Sequence, residues 1–490
     1  MKTKLANPAK LTNSMKSRFA KTALLAVFAV LATSLTAQAQ TALYPGFDEA
    51  VARAATMDWA TKESDRGGLF LVAQFDSSGP DAWNAGDHPL VYITSESSFN
   101  PNPDKVIDGG FAGFQLIDGY SKEVFASFIG VQTPETSGLR TGPHGVNVSP
   151  DGKWAYVGWA EVDDSETNYT AYVAIVNMRT LKIDKLLKQQ SYYQGQQRAQ
   201  RLHHIQSWTD VDGNDRTVLQ WGFGANGGPH QILDPNDDNR VVRAITYDDV
   251  QVMGHPFTTP SPDGKTLFVS IGSPELREEP YAGAGVAKVD LETGSVTNVM
   301  GTGNHPIGIT HDVDGAFTYV VDGTNSIVYK IDNELDEIVG KTSAGVAGPY
   351  GIAFNWDESL LFTVGKGEGT HNRGSVLGVI DAERFTRWRG LQQMPIFLGG
   401  SASSVEHAIL HPDPEVNELW ISNMNGWDTI VLDLETFEPK AWIPTPNGGD
   451  THSGGFVSYN PDFTGELQSD MGGPKSETMR DLIRAAKAAN

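Results

Sequence analysis

A short motif that recurs seven times constrains the fold of this chain more than any other feature. Each copy opens with a histidine or a tyrosine, continues with alternating apolar residues and ends in a Pro/Asp/Gly turn. The copies lie 45 to 59 residues apart and begin at His144, His203, His255, His305, Tyr350, His407 and His452. Four antiparallel strands with their turns occupy about this length in one blade of a β-propeller. The repeat therefore predicts an all-β fold of blades arranged around a central channel.

Turn signals separate the strand-like segments within each copy. The tetrapeptides Ser149–Gly152 and Ser261–Gly264 both read Ser-Pro-Asp-Gly and precede a segment rich in β-branched and aromatic residues. Proline presets φ at one turn position and glycine permits a positive φ at another. Alternating strands with such punctuation indicate antiparallel sheets, and the tetrapeptides are interpreted as turns without a functional role.

Strands from both ends of the chain complete the ring. The last copy supplies one strand at 452–458, and three unattached strands precede the first copy, at 90–96, 110–118 and 123–129. Joining them predicts a seven-bladed β-propeller with N- and C-terminal strand closure of the last blade, which removes the open edge of a linear array. An eight-bladed ring with a further blade from 40–90 is the alternative. A short amphipathic helix is predicted at Ser476–Ala489.

The first forty residues have the pattern of a targeting segment. They carry six basic residues and no acidic one, then an apolar run over Ala23–Leu35 and the sequence Ala37-Gln38-Ala39. This order predicts a Sec-type signal peptide at 1–39, followed by a single propeller domain at 40–490 and a periplasmic location. The alternative is a membrane anchor, but the apolar run is short for a bilayer span, so no membrane span is expected in the mature chain.

Composition excludes several kinds of chemistry. The chain has no cysteine, which excludes disulfides, thiolate metal sites, CxxCH haem attachment and cysteine nucleophiles. The net charge is −23, and loss of the six basic leader residues would bring it to about −29. Such an acidic chain lacks the basic surface of a nucleic-acid binder, so no nucleic-acid partner is expected.

The histidines are in phase with the repeat. In a propeller the first strand of each blade lines the channel, and six of the seven copies place a histidine at or beside its start. Imidazole is a ligand suited to copper, zinc and iron, and a histidine-rich set without thiolates suits copper best. The predicted ligands of a copper centre with more than one ion are His144, His203, His204, His255, His305, His407 and His452.

Two alternatives concern these histidines. The imidazoles could merely cap backbone groups where the propeller strands begin. His203 and His204 are adjacent and are expected to point to opposite faces of a strand, so only one of the two is expected to face the channel squarely.

Several loops are expected on the same face as the histidines. The predicted catalytic or anion-binding residues in them are Lys105, Glu161, Lys366 and Glu368. Glu406 precedes a ligand histidine and is predicted to orient an imidazole. The histidines that fall outside the repeat phase are interpreted as structural: His88, His311 and His411. Asp210–Asp215 resembles part of a calcium loop but lacks the distal glutamate, and a turn is favoured there.

With these motifs the chain resembles the exported propellers of the nitrous-oxide-reductase N-terminal and cytochrome d1-like superfamily. Within it, the histidine ring most resembles thiocyanate dehydrogenase, a periplasmic enzyme family with a copper cluster in the channel of a seven-bladed propeller. The resemblance implies Lys105 as the counterpart of that family's active-site lysine. The third copy offers His255 where the family's site includes an aspartate ligand, and the fifth has Tyr350 where a further histidine is expected.

The leading hypothesis is a periplasmic copper-dependent oxidoreductase that acts on a small anion such as thiocyanate or a related sulfur or nitrogen compound. Since the chain has no cysteine-held electron-transfer site, electrons are expected to pass to an external acceptor such as a cytochrome c. One alternative is a propeller that binds haem d1 or a metal during cofactor assembly without turnover. The other is a non-catalytic scaffold or a hydrolase such as a lactonase.

Overall fold

A computed structural model gives the fold of most of the chain from residue 69 onward. The described residues are 69–97, 102, 104, 111–132, 145–162, 169–189, 192–193, 196–197, 202–221, 230–245, 250, 257–272, 284–367, 374–387 and 395–489. Their sheets form a seven-bladed β-propeller, which confirms the predicted fold class.

Blade 1 is a five-stranded sheet. Its strands are β1 (Leu69–Gln74), β5 (Val146–Val148), β6 (Trp154–Val162), β7 (Tyr169–Asn177) and β8 (Lys182–Gln189), in the order β1-β8-β7-β6-β5. Thus β1 pairs with the outermost strand of blade 1. The alternative prediction of an eighth blade is wrong for β1, because the backbone hydrogen bonds of β1 join it to β8 in the sheet of blade 1.

Blades 2, 3 and 4 are four-stranded sheets whose strand order follows the chain. A small ribbon, β9 (Tyr192–Tyr193) and β10 (Gln196–Gln197), precedes them. Blade 2 contains β11 (Leu202–Thr209), β12 (Asp215–Trp221), β13 (His230–Asp234) and β14 (Arg240–Ile245). Blade 3 contains β15 (Thr258–Pro260), β16 (Thr266–Ile271), β17 (Gly285–Asp290) and β18 (Val296–Met300). Blade 4 contains β19 (Pro306–His311), β20 (Phe317–Asp322), β21 (Ile327–Asp332) and β22 (Glu337–Ser343).

Blades 5 and 6 repeat this arrangement. Blade 5 contains β23 (Pro349–Phe354), β24 (Leu360–Gly365), β25 (Val376–Asp381), β26 (Thr386–Arg387) and β27 (Ile396–Phe397), the last two both paired with β25. Blade 6 contains β28 (Val405–Leu410), β29 (Glu418–Asn423), β30 (Asp428–Asp433) and β31 (Pro439–Pro444).

Blade 7 combines both ends of the chain, as predicted. Its strands are β2 (Leu90–Ser97), β3 (Phe111–Asp118), β4 (Val124–Gln132), β32 (Gly454–Tyr459), β33 (Gly465–Asp470) and β34 (Gly473–Pro474), in the order β34-β33-β32-β2-β3-β4. The sequence repeat did not predict β33 and β34. They extend the blade on its inner side, where β33 contacts β11 and β28 of other blades.

The predicted C-terminal helix is present as α1 (Glu477–Ala489). Its buried residues are Met479 and Ile483, and both pack with the apolar core of blades 5 and 6. None of the helices among the described residues is long and apolar enough to cross a membrane.

Large apolar side chains fill the spaces between blades. Trp420 of blade 6 is fully buried and lies 4.9 Å from the ring of Tyr92 and 5.1 Å from that of Phe456, both of blade 7 (centroid distances). Burial of aromatic rings contributes much of the stability of such cores. This packing brings the inner strands of different blades close together around the channel.

Candidate metal centre

Four imidazoles meet where the channel strands begin. His203 and His204 lie on β11 of blade 2, His407 on β28 of blade 6, and His452 just before β32 of blade 7. The four side chains are between 0 and 1% exposed. Nε2 of His204 lies 3.0 Å from Nε2 of His452 and 3.2 Å from Nε2 of His407. We call these four residues the histidine cluster.

Three members of the cluster form a potential metal-binding triad. One ring nitrogen from each of His203, His204 and His452 lies within 4.8 Å of the others, and all three side chains are buried. This buried triad could hold a metal ion. His407 adds a fourth imidazole through its contact with His204.

A β-bulge brings both adjacent histidines into the cluster. In the pairing of β11 with β12, Leu202 faces Trp221 and His204 faces Gln220, so His203 is an extra residue. A bulge of this kind redirects a side chain that regular alternation would send to the other face. The expectation that only one of the two histidines faces the channel is therefore wrong.

Similar bulges occur at the start of three further channel strands, β19, β23 and β28. On β23, Tyr350 and Gly351 together lie opposite a single residue of β24. On β28, Glu406 and His407 do the same opposite β29. In blade 6 the consecutive side chains of Glu406 and His407 therefore both contact the histidine cluster.

Tyr350 occupies the position that histidine has in the other copies. Its side chain is 1% exposed, and its Oη lies 3.1 Å from Nε2 of His203. Its ring centroid is 5.1 Å from that of His407 and 5.7 Å from that of His452. The phenol is therefore part of the site, although only its place in the repeat indicated this in the sequence.

A carboxylate and an ammonium group lie behind the imidazoles. Glu406 is fully buried and accepts a hydrogen bond from Nδ1 of His452, as predicted for an orienting residue. Its other oxygen lies 2.8 Å from Nζ of Lys366, whose side chain is 15% exposed. The Lys366 ammonium also lies 3.9 Å from the centroid of the Tyr350 ring. The ion pair compensates the buried negative charge of Glu406.

Burial keeps His407 in its ligand form. Desolvation, with a smaller contribution from the positive charge of Lys366, lowers the pKa of His407 to about 3. A neutral imidazole keeps a lone pair on one nitrogen, and metal coordination requires that lone pair.

The spacing of the ring nitrogens in the cluster fits a cation. Because Nδ1 of His452 faces the Glu406 carboxylate, Nε2 is the ring nitrogen that it directs at His204. A single proton on Nε2 of His204 can serve only one of its two short contacts well. Tetrahedral nitrogen ligands at 2.0–2.1 Å from an ion are about 3.3 Å apart, which is close to the 3.0 and 3.2 Å that separate Nε2 of His204 from Nε2 of His452 and of His407.

The remaining predicted site residues are distributed differently. His305 is buried at the start of β19, but it does not belong to the triad found among the described residues. Glu161 lies within β6 rather than in a loop, because β6 and β7 form a longer hairpin than predicted. Four predicted residues lie outside the described residues: His144, His255, Lys105 and Glu368.

The histidines outside the repeat phase have other contacts. The ring of His88 stacks on Phe125 with centroids 3.7 Å apart, and Nδ1 of His311 lies 2.9 Å from Oγ1 of Thr318. Nε2 of His411 lies 3.2 Å from the carbonyl oxygen of Gly119. These contacts agree with structural roles.

The calcium-like segment forms the turn between β11 and β12. There the Asp210 carboxylate accepts backbone hydrogen bonds from Asp212 and Asn214 and lies 2.9 Å from Nη2 of Arg216. The carboxylate oxygens of Asp210 are therefore already engaged by these hydrogen bonds and by Arg216.

A buried ion pair lies next to the channel strands, beyond the histidine cluster. It is formed by Asp470, at the end of β33, and Lys475, directly after β34. Lys475 lies 3.1 Å from Oδ1 of Asp470 and donates to Oε1 of Gln206, also at 3.1 Å. Nδ2 of Asn147 donates to the other oxygen of Asp470 at 2.8 Å. Gln206 follows His204 by two residues on β11, so the C-terminal segment contacts the strand that carries two of the four histidines. We call Asp470 and Lys475 the channel ion pair.

Comparisons with known proteins do not assign this chain to a family. No family model matches the sequence, and no curated protein matches it. Among solved structures, the chain is similar to dihydro-heme d1 dehydrogenase NirN, with 14% identity, a TM-score of 0.47 and coverage of 86% of this chain and 84% of that one. It is also similar to hydrazine synthase of Kuenenia stuttgartiensis, with 14% identity, a TM-score of 0.42 and coverage of 80% and 99%. Similarities this distant transfer neither an activity nor a site.

Proposed function

We propose that this protein is an exported, copper-dependent oxidoreductase that oxidises a small anion and passes the electrons to a cytochrome c-type acceptor. The convergence of Nε2 of His407 and His452 on Nε2 of His204, at 3.2 and 3.0 Å, carries this proposal. Neutral imidazoles without thiolates favour copper among the common metals. When bound, copper supplies one-electron redox chemistry and a positive charge that attracts an anion.

The protein groups around the histidine cluster have distinct tasks. The imidazoles of His203, His204 and His452 hold the ion, and His407 adjoins them through its contact with His204. Glu406 fixes the proton of His452 on Nδ1 so that Nε2 remains available. A carboxylate in this position also raises the basicity of the ligand. Lys366 lies beside the cluster with part of its side chain exposed, which makes its ammonium a suitable contact for an incoming anion.

Thiocyanate is the substrate that we propose for the test. Its oxidation is balanced as SCN⁻ + H₂O → OCN⁻ + S + 2H⁺ + 2e⁻, so the C–S bond breaks, a C–O bond forms and sulfur leaves as the element. Two oxidised cytochrome c molecules accept the two electrons. The oxygen comes from water, and the two protons are released to the solvent.

The geometry disfavours a haem at the same nitrogens. A six-coordinate haem requires axial ligands on opposite faces of the macrocycle. The rings of His204 and His452 are nearly parallel, at 8°, but their Nε2 atoms are 3.0 Å apart. That gap cannot admit a macrocycle, so a haem ligated by both of these rings would require them to move apart.

Metal analysis of the exported protein, followed by an activity assay, tests the proposal. We expect bound copper after purification or copper loading, and reduction of oxidised cytochrome c that depends on thiocyanate. The His204→Ala variant should lose both properties, whereas His411→Gln, altered at a buried histidine with other contacts, should keep them. A protein that stays free of copper after loading, or that shows haem absorption instead, would overturn the proposal. Copper binding with no oxidation of thiocyanate or related anions would overturn the enzymatic part alone.

A further inference from the structure

Residues 465–476, which contain β33 and β34, lie against the channel strands on the side away from the histidine cluster. The cluster lies where the channel strands begin, whereas these residues contact the middle and last parts of those strands. Nζ of Lys475, for example, donates to Gln206. Gln206 follows His204 by two residues on β11 and is therefore roughly 7 Å further along the strand. We call residues 465–476 the channel plug.

The channel plug forms hydrogen bonds with strands on both sides of blade 7. The carboxylate of Asp470 accepts from Nδ2 of Asn147 in blade 1 at 2.8 Å. The hydroxyl of Ser469 donates at 2.8 Å to the carbonyl oxygen of Leu410, the last residue of β28 in blade 6. Asp470 and Ser469 are each 1% exposed. The plug is therefore held between the channel strands and is not a surface extension of blade 7.

Two glycines let the plug pass close to blades 2, 3 and 4. A Cβ atom on Gly472 would lie 2.3 Å from Oε1 of Gln206 and 2.5 Å from Oγ1 of Thr259. A Cβ atom on Gly473 would lie 3.3 Å from Oγ1 of Thr310. Because these side chains belong to β11, β15 and β19, the plug reaches across the channel from blade 7 to the opposite blades.

Helix α1 holds the plug in place. The guanidinium group of Arg480 donates to the carbonyl oxygens of Pro262 in blade 3 and of Lys475 in the plug. Further along the helix, the Lys487 ammonium lies 2.7 Å from Oε2 of Glu358 in blade 5. Pro262 and Glu358 lie in the turns that follow the channel strands β15 and β23. The helix thus lies on the face where the channel strands end, and it fixes the plug to that face.

We propose that the channel plug, fixed by α1, closes the far end of the channel, so that solutes reach the histidine cluster from the face on which the cluster lies. The partly exposed Lys366 directly follows β24 on that face. Closure of the other end makes the charge at this entrance decide which ions arrive, because no second route bypasses it. The inference goes beyond the proposed oxidation, and it holds whichever metal the cluster binds.

Labelling of a single introduced thiol tests this closure, because the chain has no cysteine of its own. Thr310→Cys places the thiol on β19 beneath the plug, where the native side chain is 1% exposed. We expect a small methanethiosulfonate reagent to label it roughly 100-fold or more slowly than Ser78→Cys, a thiol in an exposed turn. Thr429→Cys is the matched control, since Thr429 is a fully buried threonine on β30, outside the channel.

Two further changes loosen the plug in the full-length chain. Gly472→Val forces the plug away from blades 2 and 3, and Arg480→Met removes the hydrogen bonds that join α1 to blade 3 and to the plug. Each should speed the labelling of Thr310→Cys by roughly tenfold or more, and neither should change that of Thr429→Cys.

Three results would overturn the inference. The first is labelling of Thr310→Cys as fast as that of Ser78→Cys, and the second is unchanged labelling in both loosened variants. The third is equal acceleration at Thr310→Cys and Thr429→Cys, because the plug would then not open independently of the blades. None of these measurements involves copper, so failure of the proposed copper centre would leave the closure standing.

Discussion

Glu406 and His452 belong to neighbouring blades, and the Glu406 carboxylate accepts a hydrogen bond from Nδ1 of His452. Both side chains are fully buried. The contact therefore fixes which nitrogen of His452 faces the other imidazoles. An amide at this position would weaken the bond and could reverse its polarity.

We expect Glu406→Gln to lower copper affinity by roughly 10- to 100-fold, the usual effect of removing such a partner. Competition with a chelator of known affinity measures this change. Glu418→Gln is the control, because Glu418 is also a fully buried carboxylate but pairs with Lys122 and Lys440. It should lower the melting temperature without changing copper affinity. Equal affinities of the Glu406 variant and the wild type would contradict the orienting role.

A glycine beside Tyr350 lets two channel strands approach each other. A Cβ atom on Gly351 would lie 2.4 Å from the carbonyl oxygen of Glu406 and 2.9 Å from Cα of His407. Gly351→Ala should therefore displace β28, with a cost of about 1–3 kcal/mol in stability and a loss of copper affinity. Gly86→Ala, where the nearest atom is a side-chain oxygen at 3.3 Å, is the control. Thermal melting and chelator competition report the two effects, and an unchanged copper affinity in Gly351→Ala would be the contrary result.

The channel ion pair should be strongly coupled. Burial raises the pKa of Asp470 and lowers that of Lys475, and each charge partly offsets the effect on the other. Replacing one partner leaves an uncompensated buried charge, which typically costs about 3–5 kcal/mol. We expect Lys475→Met and Asp470→Asn each to lower the melting temperature markedly. The double variant should lose less than the two single losses together, and additive losses would argue against the coupling.

Attachment of the C-terminal helix should depend on pH through Glu358. Burial raises the pKa of Glu358 from 4.5 to about 7, although Lys487 and the backbone N–H of Val313 favour its charged form. Because the folded chain then binds this proton more tightly than the unfolded chain does, its contribution to stability is largest below pH 4.5 and declines as pH rises to about 7.

The decline should reach up to ~3 kcal/mol and should disappear in Glu358→Gln. Melting temperatures of the wild type and this variant between pH 5 and 8 provide the measurement. Parallel pH profiles for the two proteins would contradict the assignment to Glu358. Hydrogen exchange in α1 would show whether the helix is the part that loosens.

The sequence alone determined the propeller, because its strands and turns are local signals repeated at blade length. Turns such as Ser149–Gly152 depend on the φ preferences of Pro and Gly at neighbouring positions, and the phase of the histidines followed from the same repeat. Closure of blade 7 could also be predicted, since the strand left over at one end matched those left over at the other.

Only the tertiary structure decided how the site is assembled. The bulge at His203 depends on its pairing with β12, and strict strand alternation therefore predicted the wrong direction for one histidine. The contacts of His204 with His407 and His452 join residues more than 200 positions apart. The channel ion pair lies in a segment with no counterpart in the other copies. Such long-range contacts depend on how the blades pack around the channel, and no local pattern in the sequence encodes them.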